Sequence, residues 1–402
     1  MFTLLNKIIS FMRKKERFLV LELFRHGIRA TPIRVDVEGR LLRVGASVAA
    51  KTGESLVAFA KRLGNLSRTN VVVSCDAALA ATVQGSVVVP HEGGGVLDEA
   101  AVEHVVAQSI WKLFDSERGS LAKRLGVSGD ELVLADARIW RVALDGRAML
   151  DPLGYAAKTV EVRLSVTMMP RVQHALLTDA FPLHPVLISE SGVAWARVLQ
   201  STLPDDASFL VAGLFPEHAV VTSAHDDIRY VDAFLWGERQ LISGVAVQLA
   251  VTHDIARYIV GAARDGVKAS PLFVRKVGDI VAAELQLLVN GLQTVAGKLP
   301  ARRCLVVPFY DVPNVLLRMP IKNMSRRLVK VSFVSADDVS KNFGFAIQWK
   351  VSEPAYASLG AVMSFFDAYI APKFQTLNVI ARRRVRWLQS GTSAVNAGEK
   401  ER

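Results

Sequence analysis

Phe2, Leu4, Leu5, Ile8, Ile9, Phe11 and Met12 share one broad face of a helical wheel, and Thr3, Asn6, Lys7, Ser10, Arg13 and Lys14 take the other. That period predicts a strongly amphipathic helix within residues 1–15. From Phe18 the pattern shortens to that of strands, over 18–23 and 29–35 with a turn at His26 and Gly27 between them, and again over 41–46 after Gly39. A helix at 54–63 and a β-rich run at 70–75 follow. Residues 79–150 hold a turn at Gly93, Gly94 and Gly95, a helical stretch carrying Val102, Val105, Ile110 and Leu113, and two strands at 131–135 and 139–144.

After Asp151–Pro152 comes a long alternating strand, 159–168. A helix with Val172, Leu176 and Leu177, a β run at 185–189 and a helix from about Val193 come next. Residues 205–235 read as strand, turn, strand, strand; 240–262 and 272–297 read as two helices, and 303–307 as a strand. Helices at 356–369 and 374–388 close the pattern, with a disordered tail after Ser390. Strands and helices alternate throughout, which makes the class α/β or α+β in more than one domain.

The chain has 402 residues, 51% of them hydrophobic and 22% charged, which suits two or three globular domains with a sizeable core. Cys75 and Cys304 form no ligand-spaced motif, which points to a reducing compartment without a disulfide framework. No run approaches the ~18 apolar residues that a membrane-spanning helix needs. The first residues lack a small-residue cleavage site, so a secretory signal is not expected. The net charge is +11, but residues 1–15 contribute +4 (Lys7, Arg13, Lys14, Lys15) and residues 372–388 contribute +5 (Lys373, Arg382, Arg383, Arg384, Arg386). The body between is almost neutral. Basic ends on a neutral body suit a surface anchor better than a nucleic-acid groove, and no nucleic-acid partner is expected.

Four short motifs in order resemble the bacterial cell-division family FtsA. Asp151-Pro152-Leu153-Gly154-Tyr155, leading into Thr159-Val160-Glu161-Val162-Arg163, is similar to its D-P-V-G-M turn and following strand. Ile188-Ser189-Glu190, ahead of a helix around 194–199, is similar to the strand and helix that precede its second half. Thr252-His253-Asp254-Ile255-Ala256 resembles its T-x-D-I-A helix start. Glu353-Pro354-Ala355-Tyr356-Ala357 with Gly360 resembles its D-P-x-Y-A-x-x-x-G stretch.

The resemblance implies a two-lobed actin/Hsp70-like (ribonuclease H-like) fold with an inserted module of SHS2 type. On that frame residues 1–15 are a terminal helix, 16–68 and 172–204 the first lobe, and 69–171 the inserted module. Residues 205–319 form the second lobe, 320–370 a closing segment of the first, and 371–402 a basic helix and tail. Only about residues 263–270 separate the second lobe's two helices, where the family carries a whole subdomain. The second lobe is therefore expected to be reduced. The missing part is the one that holds FtsZ in the family, which argues against an inherited FtsZ contact.

Proteins of this fold bind phosphate on two hairpins rich in Gly, Ser and Thr, each opened by an Asp that holds Mg²⁺. The first hairpin here is Val20 to Gly27, with Glu22 at the Asp position and Phe24 at a Gly position. The second is Ala212-Gly213-Leu214-Phe215-Pro216-Glu217-His218, with Phe215, Pro216 and Glu217 where Gly and Thr are needed. Proline removes an amide donor and glutamate repels phosphate. Pro308 and Phe309 replace the adenosine-binding Gly-Gly, and Val247-Gln248 replaces a further one before Thr252. These substitutions predict a pseudo-ATPase with no catalytic residue, metal or cofactor.

Other candidate chemistry is weak. His218, His225 and His253 with Asp226–Asp227 match no ligand spacing. The triple glycine is not followed by Lys-Ser/Thr. Ser191 is read as a helix N-cap.

The function expected is that of a non-catalytic scaffold, peripheral on the inner face of the cell membrane, in cell division or an envelope-associated assembly. Its partners would be an anionic membrane surface, divisome or envelope-assembly proteins, and a second copy of itself. The N-terminal candidate anchor comprises Phe2, Leu5, Ile8, Ile9, Met12, Arg13, Lys14 and Lys15. The C-terminal candidate has Phe374, Leu377, Ile380, Ala381, Val385, Trp387 and Leu388 on one arc, with Arg382, Arg383 and Arg386 as its basic residues and Arg384 intruding on the apolar side. It is equally suited to an oligomer contact. A PilM-like scaffold of type IV pili, or an ATP-dependent enzyme with an unconventional site, are the alternatives.

Overall fold

The computed structural model describes residues 15–25, 27–36, 40–181, 185–200, 208–225, 227–264, 270–297, 299, 303–308, 330–334, 340, 344–350, 356–369 and 375–398. The chain divides into two compact units. One comprises residues 16–32, 47–190 and 360–402, and the other 1–15, 33–46 and 191–359.

In the first of these, β1 (Lys15–Phe24) pairs in parallel with β5 (Asn70–Cys75), and β5 pairs in parallel with β10 (Leu187–Glu190). β2 (Gly27–Asp36) neighbours β1 after a two-residue connection, which is too short for anything but an antiparallel return. Strand β4 (Val48–Ala49) pairs with the start of β2. Strands β1 and β5 are Leu/Val-rich and almost wholly buried, as expected of parallel strands covered on both faces. Helix α1 (Leu56–Leu63) packs Phe59 and Ala60 into that core.

A four-stranded antiparallel sheet follows, in the order β6-β9-β7-β8, built from β6 (Ala81–Pro90), β7 (Leu132–Leu144), β8 (Arg147–Met149) and β9 (Thr159–Pro170). Helix α2 (Glu99–Leu125) covers it, capped by Asp98 at one end and by left-handed Gly126 at the other. Gly85 sits mid-strand in β6 because α2 crosses there; a Cβ would come 2.9 Å from Leu113 Cδ1. Sequence pattern alone gives two strands at 131–135 and 139–144, whereas β7 is continuous and bulged near both Ala135 and Trp140.

The polar residues that split the apolar run are buried and partnered. Asp136 accepts the Ile188 amide at 2.9 Å, and Arg138 donates to Ser364 Oγ at 2.8 Å. Burial pushes the Asp136 carboxyl up, against the pull of Arg138. Helix α3 (Arg171–Ala180) ends the segment.

In the second unit, the end of β2 pairs antiparallel with β3 (Leu41–Val44), and β3 pairs in parallel with β16 (Ala346–Trp349). Helix α4 (Ser191–Gln200) precedes a five-stranded sheet in the order β13-β12-β11-β14-β15. Its strands are β11 (Phe209–Leu214), β12 (Ala219–Ala224), β13 (Ile228–Phe234), β14 (Arg303–Pro308) and β15 (Lys330–Phe333). The first three are antiparallel and the last two add in parallel beside β11. The order of β10, β5, β1, β2 and β3 repeats this arrangement strand for strand.

Helices α5 (Glu238–Leu249), α6 (His253–Arg264) and α7 (Pro271–Ala296) bury one face each in a core with β11, β12 and β14. The pattern over 240–262 predicts one helix; the chain breaks it at Ala250, which adopts the left-handed conformation and caps α5. Helix α8 (Tyr356–Tyr369) begins at the fourth FtsA-like motif. The last helix, α9 (Gln375–Gly398), runs well beyond Ser390, where the composition alone predicts disorder.

Candidate functional site

The first candidate hairpin joins β1 to β2. Glu22 is fully buried on β1, and a bare carboxylate there would carry a large desolvation cost. Arg29, seven residues on, pairs with it through Nε. The same guanidinium lies 5.6 Å from the Phe24 ring centroid, and Phe24 is itself buried. The carboxylate of Glu22 is thus engaged by a cation from its own hairpin. Phe24 fills space that a glycine leaves open for an approaching phosphate.

The second candidate hairpin joins β11 to β12. Gly213 pairs with Val220 and Leu214 with Ala219, leaving residues 215–218 as the turn. The Phe215 amide donates to the His218 carbonyl at 2.9 Å, so this donor is spent inside the turn. The Phe215 ring is buried and stacks on His218, with centroids 5.0 Å apart and planes at 14°. Pro216 has no amide to offer, and its carbonyl accepts the Arg239 amide at 2.9 Å. Glu217 forms an ion pair with the Arg239 side chain at the start of α5. Gly237, just before α5, is required by this close approach: a Cβ there would lie 2.3 Å from the Phe215 carbonyl oxygen.

In the first hairpin Glu22 is paired with Arg29, and in the second the Phe215 amide, the Pro216 carbonyl and the Glu217 carboxylate have partners within the chain. A phosphate cradle needs convergent free amides, and the second turn contains one amide bonded internally and one missing. The sequence pattern singled out Glu22, Phe24, Phe215, Pro216 and Glu217, which the structure places on β1 and at the β11–β12 turn. It missed their cationic partners Arg29 and Arg239, whose proximity depends on strand register and helix placement.

The other candidate positions fall as follows. Pro308 ends β14, paired with Leu214 in register; Phe309 lies outside the described residues. Val247 and Gln248 form the last turn of α5, both exposed. His253 Nε2 lies 3.0 Å from Ser243 Oγ, and His218 is stacked on Phe215. Among the described residues no group of His, Cys, Asp and Glu is arranged to hold a metal ion. Burial raises both thiols, Cys304 to about 12, which keeps them protonated and unreactive.

At the ends of the chain, Phe2, Leu5, Ile8, Ile9, Met12, Arg13, Lys14 and Phe374 lie outside the described residues, and Lys15 is the first residue of β1. Helix α9 buries part of its apolar arc and leaves Trp387 of that arc exposed. Leu377, Ile380, Ala381 and Val385 are buried in the core beneath β7 and α2, and Asn378 brackets the Ile139 backbone with two hydrogen bonds of 2.7 and 3.1 Å. Arg383 and Arg384 both pair with Glu103 of α2. Arg386 and Trp387 are exposed, Arg382 partly so. No helix among the described residues is long and apolar enough to cross a membrane.

No family model and no curated protein matches the chain. Among solved structures it is similar to the PilM-PilN type IV pilus biogenesis complex, with a TM-score of 0.50 and 14% identity over 87% of this chain and 98% of that one. A Bacteroides thetaiotaomicron protein with an actin-like ATPase fold and unknown function lies further off, at a TM-score of 0.36 and 8% identity over 88% of this chain and 98% of that one. The ethanolamine utilization protein EutJ from Carboxydothermus hydrogenoformans is comparably distant, at 0.34 and 12% over 87% and 90%. With the twice-repeated strand order, the first likeness shows the fold, an actin-like ATPase fold. At such identity it shows the fold alone.

Proposed function

We propose that this chain is a non-catalytic scaffold on an actin-like ATPase fold, a pseudo-ATPase that gathers partner proteins at the inner face of a cell membrane. The observation that carries the reading is that both phosphate hairpins are closed on themselves. Glu22 is paired with Arg29, and in the 215–218 turn the Phe215 amide is bonded to the His218 carbonyl, Pro216 has none to offer, and the Glu217 carboxylate is paired with Arg239. A nucleotide there would have to displace two internal ion pairs and accept carboxylates beside its phosphates.

The FtsA-like motifs support cell division as the process served. The PilM likeness supports the second reading, a scaffold in an envelope assembly of the type IV pilus kind, and it is the better supported of the two. Attachment to the membrane is assigned to residues 1–15, whose apolar face and acid-free basic flank suit an anionic headgroup layer. The C-terminal helix is the weaker anchor, since Leu377, Ile380, Ala381 and Val385 of its apolar arc are already buried.

Thermal unfolding with and without Mg-ATP tests the pseudo-ATPase reading. A ligand at about a thousand times its Kd stabilises by ~4 kcal/mol. An unchanged midpoint in millimolar Mg-ATP is expected, and a rise of several degrees would overturn the reading.

A further inference from the structure

We propose that the N-terminal tip of α7 is a second membrane contact, a short apolar plug that enters an anionic lipid surface. Pro271, Leu272, Phe273, Val274, Arg275 and Lys276 are all exposed, Leu272 at 81%, Val274 at 54% and Phe273 at 40%. The helix enters its own core only from Val277, with Ile280 and Val281 behind it. Ser270 caps the tip by accepting the Phe273 amide at 3.3 Å, so the first turn is a formed helix end.

Direction decides what could cover this tip. Four consecutive residues, each turned ~100° from the last, point to nearly every side of the helix. A protein groove buries one stripe of a helix, at positions three and four apart. A fluid layer can surround all sides of a tip at once. The charges agree: Arg275 and Lys276 directly follow the apolar turn, where they would meet lipid phosphates, and the nearest described acid on the helix, Asp279, lies further from the tip. The site is independent of residues 1–15, and either contact can fail without the other.

A fluorophore placed at the tip reads the contact locally. Val274→Cys in the full chain can be labelled selectively with an environment-sensitive nitrobenzoxadiazole dye, because Cys75 and Cys304 are buried. With vesicles of phosphatidylcholine and phosphatidylglycerol in equal parts, a blue shift and a several-fold rise in emission are expected. Adding Arg275→Gln and Lys276→Gln should weaken that response about 30-fold in lipid concentration, at ~1 kcal/mol per basic residue. Unchanged emission overturns the proposal even if the protein floats with the vesicles, since flotation would then come from residues 1–15. An equal response to pure phosphatidylcholine overturns the anionic assignment.

Discussion

Glu22 and Arg29 show how a single substitution changes the meaning of a site. The Glu22 carboxylate, expected from the sequence to stand at a metal-binding position, is buried and held by a guanidinium seven residues away. Removing one member of such a pair leaves a buried charge, and Arg29→Met is expected to cost about 3–5 kcal/mol in urea unfolding. Restoring most of that loss with Glu22→Gln in the same chain would mark the pair as structural. Ala250 presents the opposite case, an ordinary residue in a conformation that suits glycine (φ 53°, ψ 46°) at an exposed helix end. Ala250→Gly should stabilise the chain by roughly 1 kcal/mol, read as a higher urea midpoint. The positions of Glu22 and Phe24 on β1 and of Phe215, Pro216 and Glu217 at a strand turn were legible in the sequence pattern. Arg29 and Arg239 were not, because an ion pair is a fact of register and packing rather than of spacing.

At the scale of elements, the hydrophobic pattern identified most strands and helices, and its errors have physical causes. The run 131–144 was split at Asp136 and Arg138, polar residues that remain in β7 because Ile188 and Ser364 partner them. β6 was missed, its alternation of apolar positions interrupted at Gly85, and Gly85 answers to the crossing of α2. The apolar arc of α9 was legible but its destination was not; an amphipathic face does not say whether lipid or the chain's own core covers it. Helix α1 is anchored by a local device that the pattern also does not reveal. Glu54 receives Arg62 through two nitrogens at 2.7 and 2.9 Å and the Lys51 amide at 2.8 Å.

The Arg62 hydrogen bonds, then the Lys51 amide, lower the Glu54 carboxyl from 4.5 to about 2. A depressed acid contributes stability above its unfolded pKa and loses it as pH falls through the folded value. The stability gap between the wild type and Glu54→Gln should therefore be constant above about pH 5 and close between 4.5 and about 2. Urea unfolding at a series of pH values measures it, and a gap that widened on acidification would contradict the assignment.

For the whole molecule, the same five-strand order appears twice, and this is the feature that places the chain among actin-like ATPase folds. A fold hosts many functions, and the sites grafted on it decide among them. Here Glu22 pairs with Arg29 and Glu217 with Arg239 at the two strand turns proposed as phosphate hairpins. The account's central claim is that nucleotide has no place to bind. Calorimetric titration of the full chain with Mg-ATP tests it most directly. No saturable heat up to millimolar nucleotide is the predicted result, and a one-to-one isotherm in the micromolar range would contradict it.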